Sequence, residues 1–262
     1  MLMALVPQAA WAADDWTHPT GDITNPFGGG KGTKDDPYII STAQHLANLS
    51  HMVNYKDKDY SGKYFLMTRD IVLNDNVLNG DFVYADNGVI RYEDNKEHFD
   101  KLKEWEPIGS FGTIWDSYFG GNFDGGGHTI SGMYINRSIY NGKVTDASDI
   151  NTAHGLFGLC LLGNISNLTI KDSYITTHYT GDEFPRYYGM LVGDTKSNNI
   201  TNCHVENCMI AGAPEHPSGT MYTGGLVGYS KYASISNCSC DATVEVYQKQ
   251  YPKIRNYHSI HD

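Results

Sequence analysis

The chain is expected to be all-β, a parallel β-helix with coils of about 35 residues and one capping helix at its N-terminal end. Three observations carry this expectation. A motif of the form G-L-F-G…I-S-N-L-T-I recurs at a constant spacing of 35 residues, and a fixed period of that size marks a stacked repeat. Each copy alternates apolar and polar residues and is rich in Gly and Asn, which suits short strands and not helices. A single amphipathic helical segment precedes the first coil, where it would cover the open end of the stack.

The columns are tight. Leu156, Leu191 and Leu226 align, and so do Gly158, Gly193 and Gly228, then Ile165, Ile200 and Ile235, then Asn167, Asn202 and Asn237. Leu168, Cys203 and Cys238 follow, with Ile170, Val205 and Cys240 after them. One period earlier, H-T-I-S-G-M-Y-I places Ile130 and Gly132 in the Ile and Asn columns, which implies at least four coils. The odd step from Ile165 to Leu168 puts the strand out of phase at Asn167, so a sharp corner is expected there. Asn tolerates the left-handed backbone that such a corner needs, and stacked Asn side chains would form a hydrogen-bonded ladder. A third strand is expected where Tyr174 and Ile175 align with Met209 and Ile210.

Taken from the N-terminus, residues 1–12 are apolar and end in Ala10-Trp11-Ala12, which reads as the remnant of a signal peptide and points to a secreted or cell-surface protein. Residues 13–36 form a flexible Gly-rich lead-in whose G-G-G-K-G-T misses the phosphate-loop spacing. Residues 37–110 hold the N-terminal cap and first strands. Pro37–Ile40 is a strand, and Ser41 with Gln44 makes a capping box. Leu46, Leu49 and Val53 then share one helix face up to about Asn54. Lys63–Leu73 supplies early strands, and residues 74–104 are an insertion with a short helical piece around Glu97–Lys103. Residues 111–246 are the repeat coils, and 247–262 form a tail with no obvious second cap.

Composition narrows the function. The formal net charge is −11, and Lys and Arg are scattered, which excludes a nucleic-acid footprint. No stretch reaches the roughly 20 apolar residues of a transmembrane helix. The five cysteines lack zinc spacing. Cys203 and Cys238 are near enough in register for a bridge, yet free core thiols are favoured. Neither H-E-x-x-H nor G-x-S-x-G occurs. Asp124 and His128 in F-D-G-G-G-H resemble an acid–base pair, but their Gly-rich setting suggests a corner in which Asp caps backbone N–H groups.

D-P-Y-I-I-S-T-A-Q-H-L-A-N-L (36–49), S-G-K-Y-F-L-M-T-R-D-I-V-L (61–73), W-E-P-I-G (105–109), F-G-G-N-F-D-G-G-G-H-T-I-S-G-M (119–133) and the three G-L-F-G-like repeats together resemble bacterial secreted and surface proteins carrying GLUG motifs. The resemblance covers about residues 30–246. It implies a right-handed β-helix on a secreted or surface protein, often with an adhesive role. It carries over no catalytic residue.

The candidate site is the connection between coils. Residues 141–154, 178–189 and 212–224 must stack along one flank because the period is constant. That flank presents Tyr179, Phe184, Tyr187, Tyr188 and Tyr222 beside several carboxylates, and Tyr187 and Tyr222 are one period apart. Aromatic faces with nearby carboxylates suit sugar rings. The sequence therefore points to a binding or adhesive module for a glycan or for a host or bacterial surface protein, needing no cofactor or metal. The alternative is a polysaccharide lyase or hydrolase in which Asp182 or Glu183 works against Glu215, with Arg186 as the basic residue.

Overall fold

A computed structural model of the chain describes residues 12–56, 58–110, 117–136, 139–140, 143–144, 153–176, 186–212 and 220–246. The expected signal remnant and the tail beyond residue 246 lie outside them. The elements are β1 (Tyr38–Ile40), α1 (Ala43–Tyr55), β2 (Tyr64–Met67), β3 (Ile71–Val72), α2 (Lys96–Phe99), β4 (Asn122–Ser131) and β5 (Tyr134–Ile135). A small antiparallel pair follows, β6 (Ile139–Tyr140) with β7 (Lys143–Val144). The remainder are β8 (Ala153–His154), β9 (Phe157–Leu161), β10 (Asn164–Lys171), β11 (Tyr174–Thr176), β12 (Arg186–Gly189), β13 (Val192–Lys196), β14 (Asn199–Gly212), β15 (Met221–Gly224), β16 (Val227–Lys231), β17 (Ser234–Ser236) and β18 (Ser239–Val246).

The protein is mostly β, with parallel sheets. In the repeat region the strands pair in parallel with their counterparts one coil away: β8–β12–β15, β9–β13–β16, and β10–β14 with β17 and β18. The offset is one period throughout except at β8–β12 and in the second half of β14–β18, where it is one residue shorter. One inward column passes through Tyr38, Phe65, Phe123, Ile165, Ile200 and Ile235, each opposite the next. Its middle members are at most 1% exposed, whereas Ile235, on the last described rung, is 44% exposed.

Each coil bends at left-handed residues, and there are more such columns than the sequence reading anticipated. Asn167, Asn202 and Asn237 have φ of 55°, 54° and 53°, as expected. Leu162, Ser197 and Tyr232 make a second column at 61°, 57° and 58°, and Asp172 and Asn207 a third at 48° and 46°. Left-handed backbone costs an L-residue roughly 1–2 kcal/mol, and ladders of side-chain hydrogen bonds offset part of it. Asn202 Nδ2 donates to Asn167 Oδ1 at 2.9 Å, and Asn207 Nδ2 to Asp172 Oδ1 at 2.6 Å. A further ladder runs from Asn199 through Asn164 to Asn122.

The earlier coil departs from the expected register. β10 pairs with β4 through Ile165 opposite Phe123 and Ile170 opposite Ile130, with a shift between Ser166 and Leu168. Ile130 therefore belongs to the Ile170 column and not to that of Ile165. Gly132, at φ 72°, joins the corner at Asp172, where its N–H donates to Lys171 O. A Cβ there would lie 1.9 Å from Asn74 O, so only Gly fits. Asp124 instead takes the Asn corner: its Oδ1 accepts from Gly126 N and from Asn167 Nδ2, both at 2.9 Å. This is the backbone-capping role expected of it. His128 pairs with Asp70 at 3.2 Å and not with Asp124.

The cap forms as expected, with one correction. The N-cap of α1 is Thr42, not Ser41, because Thr42 Oγ1 accepts from His45 N at 3.1 Å. Leu46, Leu49 and Val53 are at most 2% exposed and belong to the same core as Phe65, Phe123 and Phe157. Burial on this scale is worth about 1.5–3 kcal/mol per side chain. The lead-in, expected to be flexible, is docked: Trp16 is 2% exposed, its Nε1 donates to Leu73 O, and its ring meets Trp105 at 5.8 Å.

The insertion has a packing role. Phe99 of α2 stacks on Tyr174 at 4.5 Å and on Tyr134 at 5.4 Å, in a second apolar cluster with Val77, Val89, Ile90, Tyr92, Met209 and Ala211. Segment 74–104 thus roofs the outer face of β5–β11–β14, and Tyr174, although fully buried, points outward into that roof while Ile175 points into the core. Arg91 and Glu245 hold the far end together at 3.2 Å. All five cysteines are free thiols, and burial pushes Cys203 and Cys208 up to about 12.

Candidate functional site

The connection expected between coils contains strand structure. Arg186–Gly189 (β12) pairs in parallel with Met221–Gly224 (β15), which sets Tyr187 directly opposite Tyr222. On a strand, alternate residues face opposite sides, so neighbours in sequence part company. Tyr187 faces out, and its ring stacks on Tyr222 with centroids 5.3 Å apart and planes 12° from parallel. Tyr188 faces in: it is 2% exposed and stacks on His154 at 4.7 Å. The expectation that Tyr188 lines the flank is corrected on this ground, since no ligand reaches a ring buried in the core.

Two residues that sequence reasoning passed over complete the cluster. Tyr229 of β16 lies 5.5 Å from Tyr187 and 5.2 Å from Tyr222, edge-on to the latter. Asp194 of β13 lies opposite Tyr229 in register. Burial pushes the Asp194 carboxyl up to about 6, against the opposing pull of Lys196 and of the Thr195 N–H. Burial, then the nearby Asp194 charge, raises the Tyr187 phenol. Tyr222 is 39% exposed, and Tyr187, Asp194 and Tyr229 are half-buried. The result is a face of three tyrosine rings beside one carboxyl group whose pKa burial has raised, partly dry and partly open.

A signal for Tyr229 was available, because it is one period after Asp194 in the column that begins at Leu159. That column holds Leu, Asp and Tyr in turn, so chemical likeness could not reveal it. Arg186 stands at the start of β12, half-buried and opposite Met221. Tyr179, Asp182, Glu183, Phe184 and Glu215 lie outside the described residues. Among the described residues no group of three or more His, Cys, Asp or Glu is placed to hold a metal ion. Nor is any helix there long and apolar enough to cross a membrane.

The fold and site define a class: a mostly β protein of stacked parallel strands that displays an aromatic face along its rungs. Residues 219–245, which take in β15–β17 and most of β18, match the GLUG motif. Over 169 residues, 64% of this chain, it is 32% identical to a protein provisionally named a Gly-rich membrane protein from Evansella cellulosilytica. The alignment spans only 14% of that relative's length. Among solved structures, the crystal structure of a provisionally assigned immunoglobulin A1 protease from Bacteroides ovatus aligns over 84% of this chain and 80% of its own, at 14% identity and a TM-score of 0.31. That likeness is too distant to carry an argument.

Proposed function

We propose that this chain is a binding module of a secreted or cell-surface protein, that its stacked coils are turns of a right-handed parallel β-helix, and that its tyrosine flank stacks on the sugar rings of a glycan. The observation that carries the reading is the half-open, near-parallel pair Tyr187–Tyr222 with Tyr229 against its edge. Flat aromatic faces take up the apolar face of a pyranose, and a carboxyl group at their margin, here Asp194, can bond its hydroxyls. The right hand follows from the strong bias of parallel crossover connections. The GLUG motif and a relative named as a membrane protein support placement at the surface.

The test is a glycan-array and polysaccharide screen of the full chain, with reducing-end and unsaturated-uronide assays run alongside. Binding without turnover, weakened about tenfold in Tyr222→Ala, supports the reading. Turnover would replace it with an enzyme, and silence across the panel would remove glycan as the ligand.

A further inference from the structure

A concave site, separate from the tyrosine flank, lies at the capped end and is built from residues outside the 35-residue repeats. Its cavity, about 870 Å³, is lined by the loop Asn25–Gly30, Tyr38, Met52, the segment from Lys58 to Ser61, and Lys63. Three aromatic rings form its floor. Phe27 lies 4.9 Å from Tyr38 and 5.9 Å from Tyr60, those two are 6.1 Å apart, and all three rest on buried Phe65 at 5.1–5.3 Å. The three rings are themselves only half-buried.

The walls are held in place by backbone. Gly28 N donates to Ile39 O at 2.9 Å and Ile39 N to Gly29 O at 3.1 Å, which ties the glycine loop to β1. Gly30 has φ 83°, and a Cβ there would strike Pro37 O at 1.9 Å, so the loop can take this path only with Gly. Across the cavity, Tyr60 is held at φ 55° in the left-handed region, a conformation unfavourable for an aromatic residue. Lys63 N donates to Tyr60 O at 2.9 Å and closes a turn there. Strain of this kind, held by surrounding packing, is typical of binding sites.

The charges are unequal. Asp59 is already engaged: its carboxylate accepts from Ser61 N at 2.9 Å, Ser61 Oγ at 3.0 Å and Tyr118 Oη at 3.2 Å, and the Ser61 N–H bond first of all holds its pKa down. Lys58 and Lys63 take part in no ion pair among the described residues. On a protein of net charge −11, an aromatic cavity lined by two lysines outside any of these ion pairs, against one carboxylate already engaged, is locally suited to an anion. Its aromatic floor suits a pyranose and not a bare ion. We propose that this cavity binds a carboxylate-bearing sugar residue, the ring seated on Phe27, Tyr38 and Tyr60 and the carboxylate met by Lys58 and Lys63. The proposal stands on residues separate from the tyrosine flank and does not depend on it.

The experiment is an amide-resolved NMR titration of the full chain with methyl β-glucuronide, methyl β-glucoside and a methyl sialoside. The expected result is shifts at the amides of Gly28–Gly30, Ser61 and Gly62, and affinity at least tenfold higher for the carboxylated sugars than for the glucoside. That preference should weaken with added salt and vanish in the Lys58→Gln/Lys63→Gln double variant, whose exposed or half-exposed side chains lie outside the core. The relative strength of the glucuronide and sialoside arms identifies the source of the carboxylate. Equal binding of glucoside and glucuronide, no shifts at these amides, or shifts confined to Tyr187 and Tyr222 would overturn the proposal. The same shifts and affinities in Tyr222→Ala would support a cavity separate from the flank, even where that variant abolishes flank binding, and their loss in Tyr222→Ala would overturn it.

Discussion

Two aromatic ladders run along this protein, and they have opposite fates. Tyr134 and Tyr174 sit opposite each other across β5 and β11, and Tyr187 and Tyr222 do the same across β12 and β15. The first pair is covered by Phe99 and the rest of segment 74–104 and is at most 3% exposed. The second pair is left partly open, with Tyr222 at 39%. Stacked strands thus generate aromatic columns on more than one face. Whether a column becomes core or a binding surface depends on what the rest of the chain lays over it.

Removing the roof should show the difference most strongly. Phe99→Ala takes away a fully buried ring that touches both members of the covered ladder, and a loss of about 3–5 kcal/mol is expected in urea unfolding. A loss below 1 kcal/mol would mean that the insertion only decorates the sheet. Tyr222→Ala in the open ladder should lose only about 1 kcal/mol, the worth of an aromatic stack with little burial, while weakening glycan binding. A stability loss as large as that of Phe99→Ala would make the open ladder core as well.

Asp194 sharpens the comparison further, with a smaller effect. Its folded pKa of about 6 lies above the ordinary 3.8, so the native state holds this proton more tightly than the unfolded chain. The associated stability is present below about 4 and is lost as pH rises through about 6. Asp194→Asn is therefore expected to melt higher than the parent at pH 7 and to lack this component of the parent's decline between pH 4 and 6. Thermal melts across that range check it, and identical profiles for the two proteins would show that the carboxyl group is well solvated.

The repeats were readable because a 35-residue period places like residues in columns, as at Ile165, Ile200 and Ile235 or at the three left-handed asparagines. The same logic failed one coil earlier, where the irregularity around Gly125–Gly127 changes the offset between β4 and β10 and moves Ile130 to the Ile170 column. The roof was opaque for a different reason. Phe99 and Val77 follow no period, and what they cover is set by distant contacts that a local pattern does not encode. At the site, the one-period spacing of Tyr187 and Tyr222 was visible, but the strand alternation that buries Tyr188 was hidden because the segment read as loop. Exposed Leu162 and Tyr232 in left-handed corners also break residue preference, so their column could not be anticipated from composition.

The central claim is that one tyrosine ladder is open for binding while the other is sealed, and tyrosine nitration read by mass spectrometry measures both at once. The account predicts rapid modification of Tyr222, slower modification of half-buried Tyr187, protection of both by a bound glycan, and no reaction at Tyr134 or Tyr174 in the folded protein. Modification of Tyr174 at a rate like that of Tyr222, or a Tyr222 that stays unreactive without ligand, would contradict it.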